Sequence, residues 1–355
     1  MLLSIVVLLS LWVIISNIYY VHRERINQIK RHQLMTLIRE LVSEPHETFD
    51  TKQFGSLARQ LSANTRLTGG VLAQLIQGQP GLSRTKLFDA LAPYGLPRIA
   101  DNELKNLQSI YTSKRLWAAA NLQYLAAGTT IAPALKSALE DKESAVRLAS
   151  AQALSALAQV DATCLIIRSL CAHRSIPWGR IVELMPSLGQ TAIAPLMTSL
   201  TDCKLDDDER AVTLAALGML KATQAEALID EHVNHSSKHV RTQACKALGN
   251  LCATKSITTL MQAMTDDAWE VRVVCAQALG KIADSAAVAA LSAHLLDPVY
   301  WVRYNCADAL SHISPEGLSE LQKQLKSEDP FVCDVCRLIM DRQAHLAPLS
   351  DMEPA

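Results

Sequence analysis

The chain has 355 residues, 49% of them hydrophobic and 19% charged, with 34 basic side chains against 35 acidic ones. Near-neutrality excludes a nucleic-acid binder built on a basic surface, and the apolar content excludes a charged, disordered polymer. Long Ala- and Leu-rich stretches, with only 13 Gly, 13 Pro and 5% aromatics, point to an all-α fold.

Residues 1–21, MLLSIVVLLSLWVIISNIYYV, contain no charged side chain. As a helix they span roughly 31 Å at about 1.5 Å per residue, the thickness of a bilayer's hydrocarbon layer. The run begins at Leu2 with no positive charge before it and closes on Asn17, Ile18, Tyr19 and Tyr20 rather than on small residues. It therefore reads as a transmembrane anchor and not as a cleaved signal peptide. Arg23, Arg25, Lys30 and Arg31 follow against the single Glu24. Positive charge stays in the cytosol, so the expectation is a single-pass protein of the plasma or inner membrane with its soluble domain cytoplasmic. The alternative is an envelope scaffold with everything after the anchor outside the cytosol. All nine cysteines lie beyond residue 160, and an odd number cannot all pair within one chain, which favours a reducing compartment.

Residues 22–40 are expected to form a basic juxtamembrane helix or linker. Residues 41–109 follow as a divergent helical cap, broken at Gly69-Gly70, Gln79-Pro80-Gly81 and Pro93 to Pro97. Beyond them a repeat takes over. VRTQACKALGNL, VRVVCAQALGKI and VRYNCADALSHI place Arg241, Arg272 and Arg303 at spacings of 31 and 31, and Arg210 precedes Arg241 by 31 more. VRLASAQALSAL at Arg147 and KRLWAAANLQYL at Arg115 are further copies, GRIVELMPSLG is a degenerate one, and FVCDVCRLIM is a worn terminal one. A shorter apolar helix pattern precedes several of them, and Pro133, Pro195, Pro298, Pro315 and Pro330 fit helix starts. Each unit is helix, turn, helix. Over residues 110–343 the pattern resembles HEAT repeats, in particular the short phycobilisome-lyase-like subclass with its D-x(5)-R spacing. The resemblance implies an α-solenoid of helical hairpins with a period of about 31 residues, and residues 344–355 are expected to be a disordered tail.

Counting each second helix from its arginine, positions +3, +4, +7 and +10 are small or aliphatic and line a core face, as in Ala244, Cys245, Leu248 and Leu251. Positions +2, +5 and +9 form another face. It is polar in the later units, through Gln243, Lys246, Gln277, Lys281, Asn305 and Asp308, and apolar earlier, through Trp117, Tyr124, Val212 and Met219. Second helices line the inner curve of such arrays, so these ten residues are the candidate partner-binding set, unless the amino-terminal helices cover the apolar part. Trp178, Trp269 and Trp301 fall just before second helices, where inter-repeat packing is expected. Asp141, Asp266 and Asp297 precede Arg147, Arg272 and Arg303 by six residues, which predicts a structural ladder of hydrogen-bonded ion pairs in place of an anion site.

Chemistry is sought and not found. A HEAT-type di-iron enzyme such as deoxyhypusine hydroxylase needs several His-Glu pairs, and only His46-Glu47 occurs. His232, His235 and His239 lack supporting ligands, Cys333-x-x-Cys336 has no second pair, and the acidic stretch from Asp202 lacks the glycine and distal glutamate of a calcium loop. No catalytic residue, metal, cofactor, small-molecule substrate or nucleic acid is expected. The expected role is that of a membrane-anchored scaffold or adaptor whose groove takes a peptide or helix of a membrane-associated protein, with residues 2–21 in the lipid bilayer. The enzyme-class alternative, from the repeat subclass, is a phycobilin-lyase-like or other chromophore-handling activity.

Overall fold

A computed structural model describes residues 22, 24–40, 56, 59, 61, 65–78, 84–125, 128–172, 176–201 and 205–346. The expected anchor at 1–21 lies outside the described residues, as do 41–55 of the expected cap. Among the described residues there is no strand, and no helix is long and apolar enough to cross a membrane. The fold falls into two units, residues 1–159 and 160–355.

The first unit contains α1 (24–40), α2 (Thr65–Gly78), α3 (Arg84–Leu91), α4 (Leu96–Leu107), α5 (Thr112–Leu125), α6 (Gly128–Ala138) and α7 (Ser144–Ala156). Its core gathers Leu34 and Ile38 of α1 with Leu72 and Leu75 of α2, Leu87 and Leu91 of α3, Ile99 of α4 and Leu125 of α5. The basic segment therefore docks its apolar side on the unit. Because α4 packs on α5, and α5 on α7, the expected cap and the first repeats share one body. Pro133 departs from expectation: it sits inside α6 rather than at its start.

Among the described residues of the second unit six hairpins follow one another: α8 (Thr163–Cys171) with α9 (Trp178–Leu184), α10 (Ile193–Leu200) with α11 (Asp207–Met219), α12 (Glu226–Asp230) with α13 (Lys238–Leu251), α14 (Ile257–Ala263) with α15 (Trp269–Ile282), α16 (Val288–Ala293) with α17 (Tyr300–His312), and α18 (Glu316–Gln324) with α19 (Pro330–Leu346). Since α19 runs to Leu346, the first residues of the expected tail are helical. The second helices α11, α13, α15, α17 and α19 pack side by side. Their predicted core positions are buried, as at Ala244, Cys245, Leu248, Cys275, Leu279, Cys306 and Leu310.

What sets the spacing of that layer is a glycine. Gly218, Gly249 and Gly280 stand at the same repeat position, and a Cβ on each would come within 2.7–2.8 Å of the backbone Cα of Ala247, Ala278 and Ala309 in the next second helix. The Ala-Leu-Gly of these three repeats is thus a close-approach device, in which only a hydrogen on Cα leaves room for the neighbour.

Candidate partner-binding face and the arginine ladder

The ladder forms, but with different partners from those expected. Arg241 Nε donates to Asp266 Oδ2 at 2.6 Å and its Nη2 to Oδ1 at 2.9 Å, while Nη1 donates to the carbonyls of His235 and Ser236 in its own turn. Arg272 repeats this on Asp297, with its Nη1 on the carbonyl of Asp266 at 2.8 Å. In the first unit Arg115 does the same with Asp141. The D-x(5)-R spacing is therefore a contact between arginine and the main-chain carbonyl of its own turn: Arg147 to Asp141, Arg272 to Asp266, Arg303 to Asp297. Each aspartate sends its carboxylate back to the arginine of the preceding repeat. The same carboxylate also accepts a backbone N–H two residues on, from Glu143, Ala268 or Val299, so it ties turn, helix start and preceding repeat together.

Burial alone would raise the Asp141, Asp266 and Asp297 carboxyls, but the arginine and backbone hydrogen bonds outweigh it and hold all three below the usual range. The partner arginines are raised, chiefly by the same side-chain bonds.

Arg210 occupies the equivalent place but meets a histidine. Its Nη1 lies 3.2 Å from the Leu200 carbonyl and 3.1 Å from His232 Nε2, and His232 Nδ1 lies 2.9 Å from the Leu228 carbonyl. Arginine only donates, so Nε2 accepts and the neutral ring carries its proton on Nδ1. Burial lowers the His232 pKa, and Arg210 adds to this. A histidine pKa depressed by folding adds stability that is fully present above the unfolded value, about 6.5, and is lost as pH falls through the folded value. The denaturant midpoint of the native protein should therefore drop more between pH 7 and pH 5.5 than that of His232→Gln. Equal drops would remove His232 from the account. The other two histidines do not join it as ligands: His235 stacks on His232 with centroids 6.3 Å apart, and His239 meets Trp178 edge-on at 5.3 Å. Trp178 thus makes the expected inter-repeat contact, whereas Trp269 and Trp301 are exposed.

The ten candidate partner residues separate into distinct environments. In the first unit Trp117 is exposed, while Tyr124 is half-buried and packed against the core that α1 to α3 help to build, so there the amino-terminal helices do cover part of the apolar stripe. In the second unit Val212 is fully buried and Met219 exposed. Gln243 is buried, Lys246 exposed. The other four converge: Gln277, Lys281, Asn305 and Asp308, with Gly280, Ala309 and His312, line a cavity of about 370 Å³ between α15 and α17. Gln277 Nε2 donates to Asn305 Oδ1 at 2.8 Å, and Lys281 Nζ to Asn250 Oδ1 at 2.7 Å. Asp308 pairs with Arg342 of α19, whose Nη1 also donates to the Tyr304 hydroxyl at 2.9 Å. The walls of this cavity are therefore preset by bonds between repeats.

Sequence reasoning missed a second cavity, of about 710 Å³, on the first-helix side, where Cys164, Ile167 and Arg168 of α8 face Ala194, Pro195 and Thr198 of α10. It also missed the role of the acidic stretch. Asp206 accepts from the Glu209 N–H at 2.7 Å while Glu209 accepts from the Asp206 N–H at 3.3 Å, a reciprocal cap that D-x-x-E spacing could have disclosed. The Cys333/Cys336 pair is packed: Cys333 Sγ lies 3.1 Å from the Ser327 carbonyl, and burial pushes the Cys336 thiol up to about 11. Among the described residues no group of three His, Cys, Asp or Glu side chains could hold a metal ion.

The family model described as HEAT repeats matches residues 193–272 and 257–334, and the one described as HEAT repeat matches residues 131–161. These segments are HEAT repeats. The matched HEAT segments contain the rungs Arg241–Asp266 and Arg272–Asp297 and the cavity of α15 and α17. Similar solved structures include the karyopherin Kap121p bound to the SUMO protease Ulp1p, at 14% identity over 87% of this chain and 41% of that one, with a TM-score of 0.46. The complex of CpcE and CpcF of phycocyanin lyase from Nostoc sp. PCC7120 is similar at 22% identity over 68% and 94% of the two chains, TM-score 0.31. Human deoxyhypusine hydroxylase in complex with glycerol is similar at 18% identity over 72% and 99%, TM-score 0.30. The chain spans about two fifths of the length of the karyopherin. Among curated proteins, no sequence matches this chain.

Proposed function

We propose that this chain is a non-catalytic adaptor tethered to a membrane, which holds a peptide or helix of a membrane-associated protein on the second-helix face of its HEAT repeats. The cavity between α15 and α17 carries this reading: four side chains of the predicted stripe, bearing donors and acceptors, converge on one space and are pre-positioned by bonds between repeats. Preset polar groups lower the ordering cost of a bound segment. The uncharged run of residues 2–21 supports the tether, and the basic residues after it favour a cytoplasmic array. Confinement to the bilayer raises the effective concentration toward a membrane partner, so modest affinity suffices.

The test uses photo-crosslinkers at positions 117, 219, 277 and 308 of the full chain in membranes. Positions 277 and 308 should capture the same protein, and Lys281→Glu should remove that product, while Trp117→Ala and Met219→Glu report on the apolar stripe. Products unchanged by all three substitutions would refute the reading. A reporter fused to Ala355 should be active on the cytoplasmic side, and deleting residues 2–21 should release the protein from membranes.

A further inference from the structure

We infer that the helix-start edge of the last three hairpins is a docking strip for an extended, proline-rich segment that carries one acidic residue. This edge is distinct from the cavity proposed above, and either assignment can fail without the other. Trp269 opens α15, Tyr300 opens α17 thirty-one residues later, and Phe331, thirty-one further on, is the second residue of α19. Their exposures are 40%, 42% and 62%, and Trp301 beside them is 55% exposed. Soluble surfaces scatter such side chains singly, whereas here they recur once per hairpin.

The spacing selects the occupant. Neighbouring packed helices lie about 8–10 Å apart. A polyproline II segment brings every third residue to the same edge at about 9.3 Å, so prolines at i, i+3 and i+6 meet successive aromatic rings. Alternate residues of a β-strand recur at about 6.8 Å and fall out of step. A polyproline II backbone also makes no internal hydrogen bonds, which leaves its carbonyls free for the indole N–H of tryptophan and the hydroxyl of tyrosine.

The acidic residue follows from the end of the ladder. Arg241 and Arg272 each hold the aspartate of the next repeat in a two-pronged grip. Arg303 keeps the bond to its own turn, Nη1 to the Asp297 carbonyl at 2.8 Å, but its buried Nε has no hydrogen-bond partner. Asp329 stands 26 residues on, where Asp141 answers Arg115; it accepts the N–H two residues on, from Phe331, as the rung aspartates do, and that of Val332, but it takes no bond from Arg303. The Arg303 guanidinium lies over the rings of Phe331, at 5.4 Å, and Tyr300, at 6.0 Å. A guanidinium stacked on aromatics and lacking its carboxylate is a receptor for one.

The test is fluorescence anisotropy of a labelled twelve-residue peptide, with proline at every third position and one central glutamate, against the full chain in detergent. Saturable binding is expected. Trp301→Ala and Phe331→Ala should each weaken it at least tenfold, and Lys281→Glu should leave it unchanged. Arg303→Gln should weaken the glutamate peptide about tenfold and leave its glutamine version unaffected. Peptide-induced change in tryptophan emission should vanish in Trp269→Phe/Trp301→Phe, a variant that keeps aromatic packing and guards against misfolding of the alanine forms. Absence of binding, equal binding of a peptide with alanine for proline, or tighter binding of a lysine version would overturn the assignment. So would concentration-dependent self-association abolished by Trp301→Ala, which would give the strip to a second copy.

Discussion

Asp297→Ala is expected to destabilise the second unit by about 3–5 kcal/mol, the cost of removing one partner from a buried ion pair. The Asp297 side chain is 5% exposed and its carboxylate accepts three bonds, from Arg272 Nε at 2.7 Å, Arg272 Nη2 at 3.0 Å and the Val299 N–H at 2.8 Å. Alanine leaves the Arg272 guanidinium without its counter-charge and the start of α17 without its acceptor. At roughly 2–4 °C per kcal/mol for a unit of this size, the melting temperature should fall by about 6–20 °C. Asp267→Ala, at an exposed carboxylate one residue past the rung aspartate Asp266, serves as the control and should stay within about 0.5 kcal/mol. The pH dependence has a definite sign. Because folding depresses the Asp297 pKa, its contribution is fully present above the unfolded carboxylate value near 4 and is lost as pH falls through the folded value. The gap between native and variant should therefore narrow below about pH 4. A loss under 1 kcal/mol in denaturant titrations at pH 7 would contradict the buried-rung account.

Gly249→Ala is the second large effect. A helix interior ordinarily gains about 1 kcal/mol from this change. Here the new Cβ would lie 2.8 Å from the Cα of Ala278, a backbone atom that cannot rotate away, so α13 and α15 must separate. Overpacking of this kind costs about 1–3 kcal/mol and should outweigh the helix gain. Gly70→Ala gives the contrast: it lies within α2, its Cβ would meet nothing within 4 Å, and it should stabilise by about 0.5–1 kcal/mol. Paired thermal melts decide the matter, and two shifts of the same sign would refute the close-approach role.

The periodicity of 31 residues made the hairpins and the core positions legible, because each repeat buries the same helix face and so uses the same residue types at Ala244, Cys275 and Cys306. The candidate face was legible only in part. Its polar members Gln277, Lys281, Asn305 and Asp308 do converge, but Val212 and Tyr124 are taken up in packing, since a stripe of apolar side chains looks the same in sequence whether solvent or another helix faces it. The ladder shows the limit most clearly. Spacing along the chain pointed each aspartate to the arginine six residues later. That contact is made by the main-chain carbonyl, leaving the carboxylate free to reach the preceding repeat.

Helical hairpins, their period, their buried faces and an uncharged amino-terminal run follow from the order of the residues alone, because each depends on local propensity and on which side chains avoid water. Which carboxylate meets which guanidinium, how closely second helices approach at Gly218, Gly249 and Gly280, and that Arg303 ends the series without an acid were decided only by tertiary structure. The reason is geometric: residues 25 to 29 apart in sequence become neighbours only once the hairpins are stacked.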